Sequence, residues 1–355
     1  MHLLIGSLKL SIFDITKSLL MKKTFRFFTF FLLLILVVYM MGPKPPLVDL
    51  NKDLPSISAS ISNIEDYANK NDEGLTLKPD NQSRIIWYND SLKGRTNYSL
   101  LYLHGFSASW YEGFPANMEF AEYFGCNAYF PRLASHGIET DDALIDMSPG
   151  RLWESAKDAL MVARTLGKKV IIMGTSTGGT LALKLAADFP EYVDGLILYS
   201  PNIRINNNAA FLLAKPWGLQ IGRMAIGGTH RVINEDFDSK ICRYWNCKYR
   251  VEATVFLQQL VEETMNSQTF KNVDKPVFLG YYYKDETHQD DVVKVDAMLK
   301  MFGHLGTPDE LKVKVAFPDA GNHVIACEIT SGAYKDVVNE TIKFGKNVLK
   351  MKTAR

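Results

Sequence analysis

The feature that most constrains the fold is an apolar, β-branched run that ends in a GxSxG motif and continues at helical spacing. Residues 168–183 contain Val-Ile-Ile-Met, then GTSTGG, then a helix-forming segment. At a tight strand-to-helix turn, Gly174 and Gly178 remove side chains that would collide, and Ser176 is held strained with Oγ at the top of the sheet. An ordinary glycine-rich loop is the alternative. The strand and helix patterns on either side favour a nucleophilic Ser176.

A second strand end carries the sequence His104-Gly105-Phe106. Gly105 lets the backbone turn so that the N–H of Phe106 faces a reacting carbonyl, and the N–H of Thr177 complements it at the helix start. The dipole of that helix favours negative charge at the same point. We therefore predict an oxyanion hole formed by Phe106 and Thr177, with His104 as a structural hydrogen-bonding residue.

A serine hydroxyl needs a base, and the base needs an orienting carboxylate. His323 lies in a turn just after the last predicted strand, which makes it the predicted base. The strand over 277–282 runs into an acid-rich loop, and Asp285 is the predicted acid because it follows the strand soonest. Most of that loop is also consistent with a solvated charged surface. The same loop offers three alternative acids, Glu286, Asp290 and Asp291.

Apolar runs alternate with helical segments from about Arg84 onward, a pattern typical of an α/β fold with a mostly parallel sheet covered on both faces. The predicted strands are Arg84–Tyr88, Ser99–Leu103, Ala128–Phe130, Val170–Met173, Leu196–Tyr199, Val277–Tyr282 and Lys312–Phe317. The clearest predicted helices are Pro149–Leu166, Gly179–Asp188 and Tyr334–Lys350.

The alternation stops between Pro201 and Asp274, where a helical run over 251–265 occurs without a convincing strand pair. A segment of this length between two sheet strands usually has its own fold, so we predict a cap over the site at about 202–272. Its aromatic and aliphatic side chains either line an apolar acyl pocket or pack the cap onto the sheet.

The N-terminal region predicts membrane targeting. Lys22, Lys23 and Arg26 precede an apolar run over 27–41, which is shorter than the roughly 20 residues that comfortably span a bilayer. Bulky residues at the end of the run do not suit a signal peptidase, which favours an uncleaved anchor over a cleaved secretory signal. The basic cluster places the rest of the chain outside the cytoplasm, on the periplasmic or extracellular side.

The predicted organisation has three parts. Residues 1–46 form a preamble and anchor or signal, with Met1 or Met21 as the initiator. Residues 47–83 form a polar stalk and peripheral segment, and residues 84–355 form the catalytic domain with its cap.

The net charge of +1 over 355 residues shows no bias toward nucleic acid, and 47% hydrophobic residues suffice for a full core. The four cysteines are too few and too spread for a disulfide framework or a zinc site. Cys242 and Cys247 either pair in an oxidising compartment or remain buried thiols. No cofactor or metal motif is present, and the sequence does not indicate an oligomeric state.

With HGF, GTSTGG, Asp285 and His323 in this order, the chain resembles the α/β-hydrolase superfamily from roughly Arg84 to Lys350. The segment RLASHG, residues 132–137, is similar to a loop of monoacylglycerol lipases and bacterial carboxylesterases, with Ser135 where glycine is usual. The resemblance implies the α/β-hydrolase fold, a lid between the sixth and seventh strands, and a triad of Ser176, Asp285 and His323.

The leading hypothesis is a membrane-tethered serine carboxylesterase or lipase acting on lipid-like or small acyl esters. The alternatives are a thioesterase, an aminopeptidase-like hydrolase and a non-catalytic binding protein. An aminopeptidase needs a carboxylate in the cap to hold a free amine, for which the candidates are Glu252, Glu262 and Glu263. Acyl chain length cannot be inferred, because pocket depth depends on how the cap packs.

Overall fold

A seven-stranded sheet forms the centre of the protein in the computed structural model, which describes residues 2–354. Met1, one of the two candidate initiators, lies outside the described residues. The strands are β1 (Arg84–Ile86), β2 (Thr96–Leu103), β3 (Asn127–Phe130), β4 (Gly167–Thr175), β5 (Gly195–Tyr199), β6 (His230–Val232), β7 (Lys248–Arg250), β8 (Val277–Tyr281) and β9 (Lys312–Ala316). The sheet has the order β1-β3-β2-β4-β5-β8-β9, and β6 pairs with β7 outside it.

Strand β1 is antiparallel to β3, and the other neighbouring pairs of the sheet are parallel. The helices are α1 (His2–Met40), α2 (Ile64–Asn69), α3 (Ala116–Phe124), α4 (Pro149–Leu166), α5 (Thr177–Asp188), α6 (Gly218–Ile226), α7 (Lys240–Tyr244), α8 (Val251–Thr264), α9 (Ser267–Asn272), α10 (Val295–His304) and α11 (Tyr334–Asn347). This architecture confirms the predicted α/β fold class, and all seven predicted strands belong to the sheet.

The continuous apolar run in β4 follows from burial of both faces of the sheet. Val170 and Ile172 join the core beneath α4 and α5, whereas Ile171 and Met173 join the core beneath α3 and α11. Because successive side chains of a strand point to opposite faces, a sheet covered by helices on both sides requires apolar residues at every position.

The long segment between β5 and β8 contains α6 to α9 and the β6–β7 hairpin. Counted along the chain over the seven strands of the sheet, this segment lies between the fifth strand, β5, and the sixth strand, β8. Helix α8 packs against both α4 and α5, so the segment is attached to the sheet domain through helices. Cys242 and Cys247 form a disulfide with a Cα–Cα distance of 5.3 Å, which decides between the two states that the sequence left open.

Residues 43–61, most of which belong to the predicted stalk, contact the rest of the domain. The backbone N–H of Trp217 donates to the carbonyl of Pro43 at 2.9 Å, and Gln259 Nε2 donates to that of Pro46 at 2.8 Å. Further along, Trp153 Nε1 donates to the carbonyl of Asn51 at 2.6 Å. Leu54, Ile57 and Ile61 then pack against the core.

Within α1, residues Leu20–Met40 are long and apolar enough to cross a membrane, and these 21 residues are exposed. A signal sequence has the same length and composition. The helix is therefore consistent with either an anchor or a signal.

Candidate active site

The turn between β4 and α5 holds Ser176 in a strained backbone conformation. Its φ of 52° and ψ of −117° lie in a region that non-glycine residues rarely adopt. A Cβ on Gly178 would lie 1.9 Å from the carbonyl oxygen of Leu103, and one on Gly174 would lie 2.6 Å from the backbone of Gly178. Both glycines are therefore required by close backbone contacts.

Backbone hydrogen bonds fix the Ser176 turn to the neighbouring strand end. The N–H of Ser176 donates to the carbonyl of Tyr199 at 3.0 Å, and the N–H of Asn202 donates to the carbonyl of Ser176 at 3.0 Å. Helix α5 begins at Thr177, so the N–H groups of its first turn lie beside the serine without intrahelical partners. This geometry favours negative charge next to Ser176.

His323 and Asp290 form a buried pair, with 2.6 Å between Nδ1 of His323 and Oδ2 of Asp290. Burial alone would lower the pKa of His323, but the charge and hydrogen bond of Asp290, with smaller contributions from Glu112 and Asp291, raise it above its ordinary value. Burial also opposes ionisation of Asp290, yet His323 and the N–H groups of Val293 and Val292 lower its pKa. The arrangement stabilises an imidazolium–carboxylate pair.

The prediction of Asp285 as the partner of His323 is wrong in this structure. Residues 283–289 form a turn in which the N–H of Lys284 donates to the carbonyl of His288, and Asp285 lies at the exposed tip. Its carboxylate accepts hydrogen bonds from Thr287 and contacts the ring of His288. The turn returns Asp290 to the strand end, where its N–H donates to the carbonyl of Tyr282. The residue that follows the strand soonest is therefore carried away from the sheet edge.

The second ring nitrogen of His323, Nε2, is buried and has no hydrogen-bond partner among the described residues. Ser176 and His323 are both buried, at 7% and 8% exposure. An imidazole with Nδ1 held by a carboxylate and Nε2 unpaired can accept a proton at Nε2.

The loop after β2 approaches Ser176 directly. A Cβ on Gly105 would lie 3.1 Å from Cβ of Ser176, so only a glycine permits this approach without displacement. His104 is buried, its Nε2 accepts from the N–H of Leu133 at 3.1 Å, and its Nδ1 lies 2.9 Å from the carbonyl of Gly105. Because both ring nitrogens are bound to backbone groups, His104 is a structural residue.

The sequence matches the profile of the Alpha/beta hydrolase family over residues 100–327, which is more than half of the chain. The chain belongs to this family. No curated protein matches the chain by sequence.

Solved structures of lipases share the fold of this hydrolase family member. The structure described as LipS and LipT, two metagenome-derived lipolytic enzymes, aligns with a TM-score of 0.61 at 16% identity, covering 76% of this chain and 98% of that one. A monoacylglycerol lipase from Paleococcus ferrophilus aligns with a TM-score of 0.51 at 14% identity, covering 74% and 98%. A soluble variant of monoglyceride lipase from Saccharomyces cerevisiae, in complex with a substrate analogue, aligns with a TM-score of 0.51 at 14% identity, covering 76% and 92%.

The loop over 132–137 supports the Gly105 loop of this hydrolase. The ring of His136 contacts His104 with centroids 4.9 Å apart, and Arg132 pairs with Asp72 at 2.7 Å. Ser135 has a φ of 68°, a left-handed conformation that favours glycine. Ser135 therefore adopts a backbone conformation that costs a serine more free energy than it would cost a glycine.

Sequence reasoning missed one buried carboxylate in this region. Glu112 is 2% exposed, accepts a hydrogen bond from the backbone N–H of Gly105, and lies 3.3 Å from the hydroxyl of Tyr102. Burial raises the pKa of Glu112 to about 7, against the opposing effects of Gly105, His323 and Tyr102. The available signal was its position as the only acidic residue in the aromatic segment Trp-Tyr-Glu-Gly-Phe, residues 110–114.

Proposed function

We propose that the chain is a serine hydrolase that cleaves carboxylic esters through an acyl-enzyme formed on Ser176, with His323 as base and Asp290 as orienting acid. The proposal rests on the strained backbone of Ser176 at the β4–α5 turn and on the buried His323–Asp290 pair. Asp290 binds Nδ1 of His323, which leaves Nε2 of the same ring without a partner among the described residues. The family and the lipase folds of its structural neighbours support hydrolysis of esters.

In the proposed reaction, Oγ of Ser176 attacks the acyl carbon and passes its proton to Nε2 of His323. The carbonyl oxygen becomes an oxyanion that accepts hydrogen bonds from the N–H groups of Phe106 and Thr177. Collapse of the tetrahedral intermediate breaks the bond to the alcohol oxygen, which takes the proton from His323. Water then attacks the acyl-enzyme by the same steps and releases the carboxylic acid.

Asp290 contributes to this reaction by holding the proton on Nδ1, so that Nε2 carries the lone pair. Its carboxylate also stabilises the imidazolium that forms when His323 accepts the serine proton. Because Asp290 is 1% exposed, water does not screen this attraction.

The aminopeptidase-like alternative has weaker support. Glu252 accepts hydrogen bonds from Arg223 and Arg250. Burial alone would raise the pKa of Glu252, but these hydrogen bonds outweigh it and lower the pKa to about 2. Glu262 pairs with Lys215 at 2.8 Å. Two of the three candidate carboxylates are therefore already neutralised by cations of the chain, which leaves less charge to hold a substrate amine.

A fluorophosphonate label on the full chain in detergent tests the nucleophile. We expect wild type to be labelled and Ser176→Ala to remain unlabelled. The matched control is Ser109→Ala, because Ser109 is buried and its hydroxyl has no hydrogen-bond partner among the described residues. Equal labelling of wild type and Ser176→Ala would refute the assignment.

A substrate panel separates the reaction classes. p-Nitrophenyl esters of increasing chain length, acyl thioesters and amino-acid anilides would be compared on the same preparation, with Ser176→Ala as the blank. We expect ester hydrolysis to exceed anilide hydrolysis by orders of magnitude. A preference for thioesters would support the thioesterase alternative, and binding without turnover of any class would support the non-catalytic one.

We further propose that α1 anchors the enzyme in a membrane with the catalytic domain outside the cytoplasm, and that its esters are lipid-like. The Cys242–Cys247 disulfide supports an oxidising compartment, and the basic residues before the apolar segment support this orientation. Carbonate extraction of membranes, followed by N-terminal sequencing, would test the anchor. A mature chain that begins after residue 41 in the soluble fraction would instead establish secretion.

A further inference from the structure

Glu112 is a buried carboxylate beside the candidate nucleophile that the proposed mechanism does not use. Its Oε1 would lie 2.7 Å from a Cβ on Gly105, and the Cβ of Ser176 would lie 3.1 Å from the same point. The carboxylate and the serine side chain therefore flank the same glycine. The backbone N–H of that glycine donates to Oε2 of Glu112.

Glu112 is also linked to the strand that carries the nucleophile. The hydroxyl of Tyr102 lies 3.3 Å from Oε2 of Glu112 and 3.0 Å from Oγ1 of Thr175, the residue directly before Ser176. Tyr102 and Thr175 are both fully buried. One carboxylate thus connects the loop that presents the Phe106 amide with the strand end that presents Ser176.

Glu112 lies beside the Ser176 turn and is one of the acidic groups that favour the charged form of the buried His323. The acidic groups that raise the pKa of His323 against its burial are Asp290, Glu112 and Asp291. Besides His323, the titratable groups on which Glu112 acts are Tyr102 and Cys327. Burial together with the charge of Glu112 raises the pKa of both groups. Asp290 and Glu112 are buried, whereas Asp291 is exposed and its effect is screened by salt.

We propose that, within the hydrolase mechanism proposed above, Glu112 is a positioning residue with two roles: it holds the Gly105–Phe106 backbone at the oxyanion site, and its charge supplements Asp290 in stabilising the His323 imidazolium. The first role depends on the reach of the side chain, and the second on its negative charge. Two conservative substitutions separate them.

Glu112→Gln keeps the length of the side chain and an oxygen that can accept from Gly105, but removes the charge. A nearby opposite charge shifts a pKa by about one to three units, and Glu112 contributes less than Asp290. Burial raises the pKa of Glu112 to about 7, so its charge fades below neutral pH and is only partly present over the acidic limb. We therefore expect the acidic limb of the pH dependence of kcat/KM to move to lower pH by no more than about half a unit. With a less stable imidazolium, kcat falls roughly three- to tenfold and KM changes little.

Glu112→Asp keeps the charge but withdraws the carboxylate by one methylene from Gly105. We expect the acidic limb to stay near its wild-type position, while kcat falls about tenfold or more because the Phe106 amide loses its support. A residue with only a structural role would lower stability in both variants without moving the pH profile in either. Thermal unfolding of each variant records that contribution separately.

Asp291→Asn is the electrostatic control. Its charge also acts on His323, but from an exposed position, so any shift that it produces should disappear in 1 M salt. The shift caused by Glu112→Gln should persist there, since Glu112 is buried. A Glu112→Gln shift that also disappears in salt would refute the proposed buried interaction.

A histidine NMR titration distinguishes failure of this inference from failure of the proposed function. The full chain in detergent, labelled at its seven histidines, gives the pKa of His323 directly, with His323→Gln used for assignment. If esters are cleaved but Glu112→Gln leaves both the His323 titration and the pH profile unchanged, the proposed charge role of Glu112 is wrong. If Glu112→Asp keeps wild-type kcat, the proposed backbone role is wrong. If the titration moves while no ester is cleaved, the charge coupling stands and the proposed function is wrong.

Discussion

Replacing Asp290 by asparagine is the most direct test of the proposed acid. The substitution keeps an oxygen that can accept the N–H groups of Val292 and Val293, each now 3.0 Å from Oδ1 of Asp290, so the local backbone should be retained. It removes the charge that lies 2.6 Å from Nδ1 of His323 and places an amide there instead. The substitution therefore removes a negative charge and changes which ring nitrogen of His323 the neighbouring group holds protonated.

The magnitude follows from the burial and proximity of this pair. Two unit charges about 4 Å apart attract by about 4 kcal/mol at an effective dielectric constant of about 20. At about 1.4 kcal/mol per tenfold change, losing this attraction in the transition state lowers the rate by nearly a thousandfold. An asparagine that favours the wrong imidazole tautomer raises the loss toward roughly 10⁴-fold, as in serine proteases.

The assay is kcat/KM for a p-nitrophenyl ester, with Asp285→Asn as the matched control. Asp285 lies in the same loop but is 51% exposed at its side chain and contacts Thr287 and His288. We expect Asp285→Asn to stay within about twofold of wild type, as is usual for a surface charge. A loss of orders of magnitude in Asp285→Asn, with Asp290→Asn near wild type, would refute the reasoning.

Three further predictions concern pH, backbone packing and the disulfide. Because the pKa of His323 is raised and the proposed base must be neutral to accept the serine proton, kcat/KM should increase with pH through a midpoint above the ordinary histidine value of about 6.5, and a midpoint at or below that value would contradict this. Gly178→Ala places a methyl group 1.9 Å from the Leu103 carbonyl oxygen, so urea unfolding should show a loss of about 3 kcal/mol or more together with loss of activity. The double variant Cys242→Ser/Cys247→Ser opens a loop with a sequence separation of 5, and we expect a loss of about 2 kcal/mol in the free energy of unfolding; a stability equal to that of wild type would argue against the bond in solution.

Much of the fold follows from local sequence patterns. Helix α4 begins at Pro149 as predicted, because Ser148 caps it by accepting the N–H of Arg151 and proline suits the first turn. The buried strands are predictable because both faces of the sheet need apolar residues. The β6–β7 hairpin was missed since each strand has three residues and β6 is largely exposed, which leaves no periodic signal.

The geometry of the candidate site was predictable only where it depends on neighbouring residues in the chain. Ser176 is recognisable because GxSxG encodes its own turn. The partner of His323 depends on how a loop reverses, and distance along the chain from the strand end selected Asp285 instead of Asp290. The two valines that follow the pair Asp290–Asp291 mark the return of the chain to the core only at Val293, because Val292 is exposed, and they do not distinguish the two acids. Burial of Glu112 results from contacts between segments that sequence patterns do not connect.

The route of residues 42–61 bears on how this enzyme can be shortened. Gly42 packs closely against the indole of Trp217. Pro43 accepts a hydrogen bond from the N–H of Trp217, directly before α6, and Pro46 accepts one from Gln259 of α8. Asn51 then accepts a hydrogen bond from Trp153 of α4. A chain truncated inside this stretch would lose these contacts. Removal of the helix up to residue 41 would keep them and lose the hydrogen bond that Trp217 Nε1 donates to the carbonyl of Val38 at 3.0 Å. The residues that follow the helix therefore belong to the folded enzyme, and a shortened protein should begin no later than Gly42.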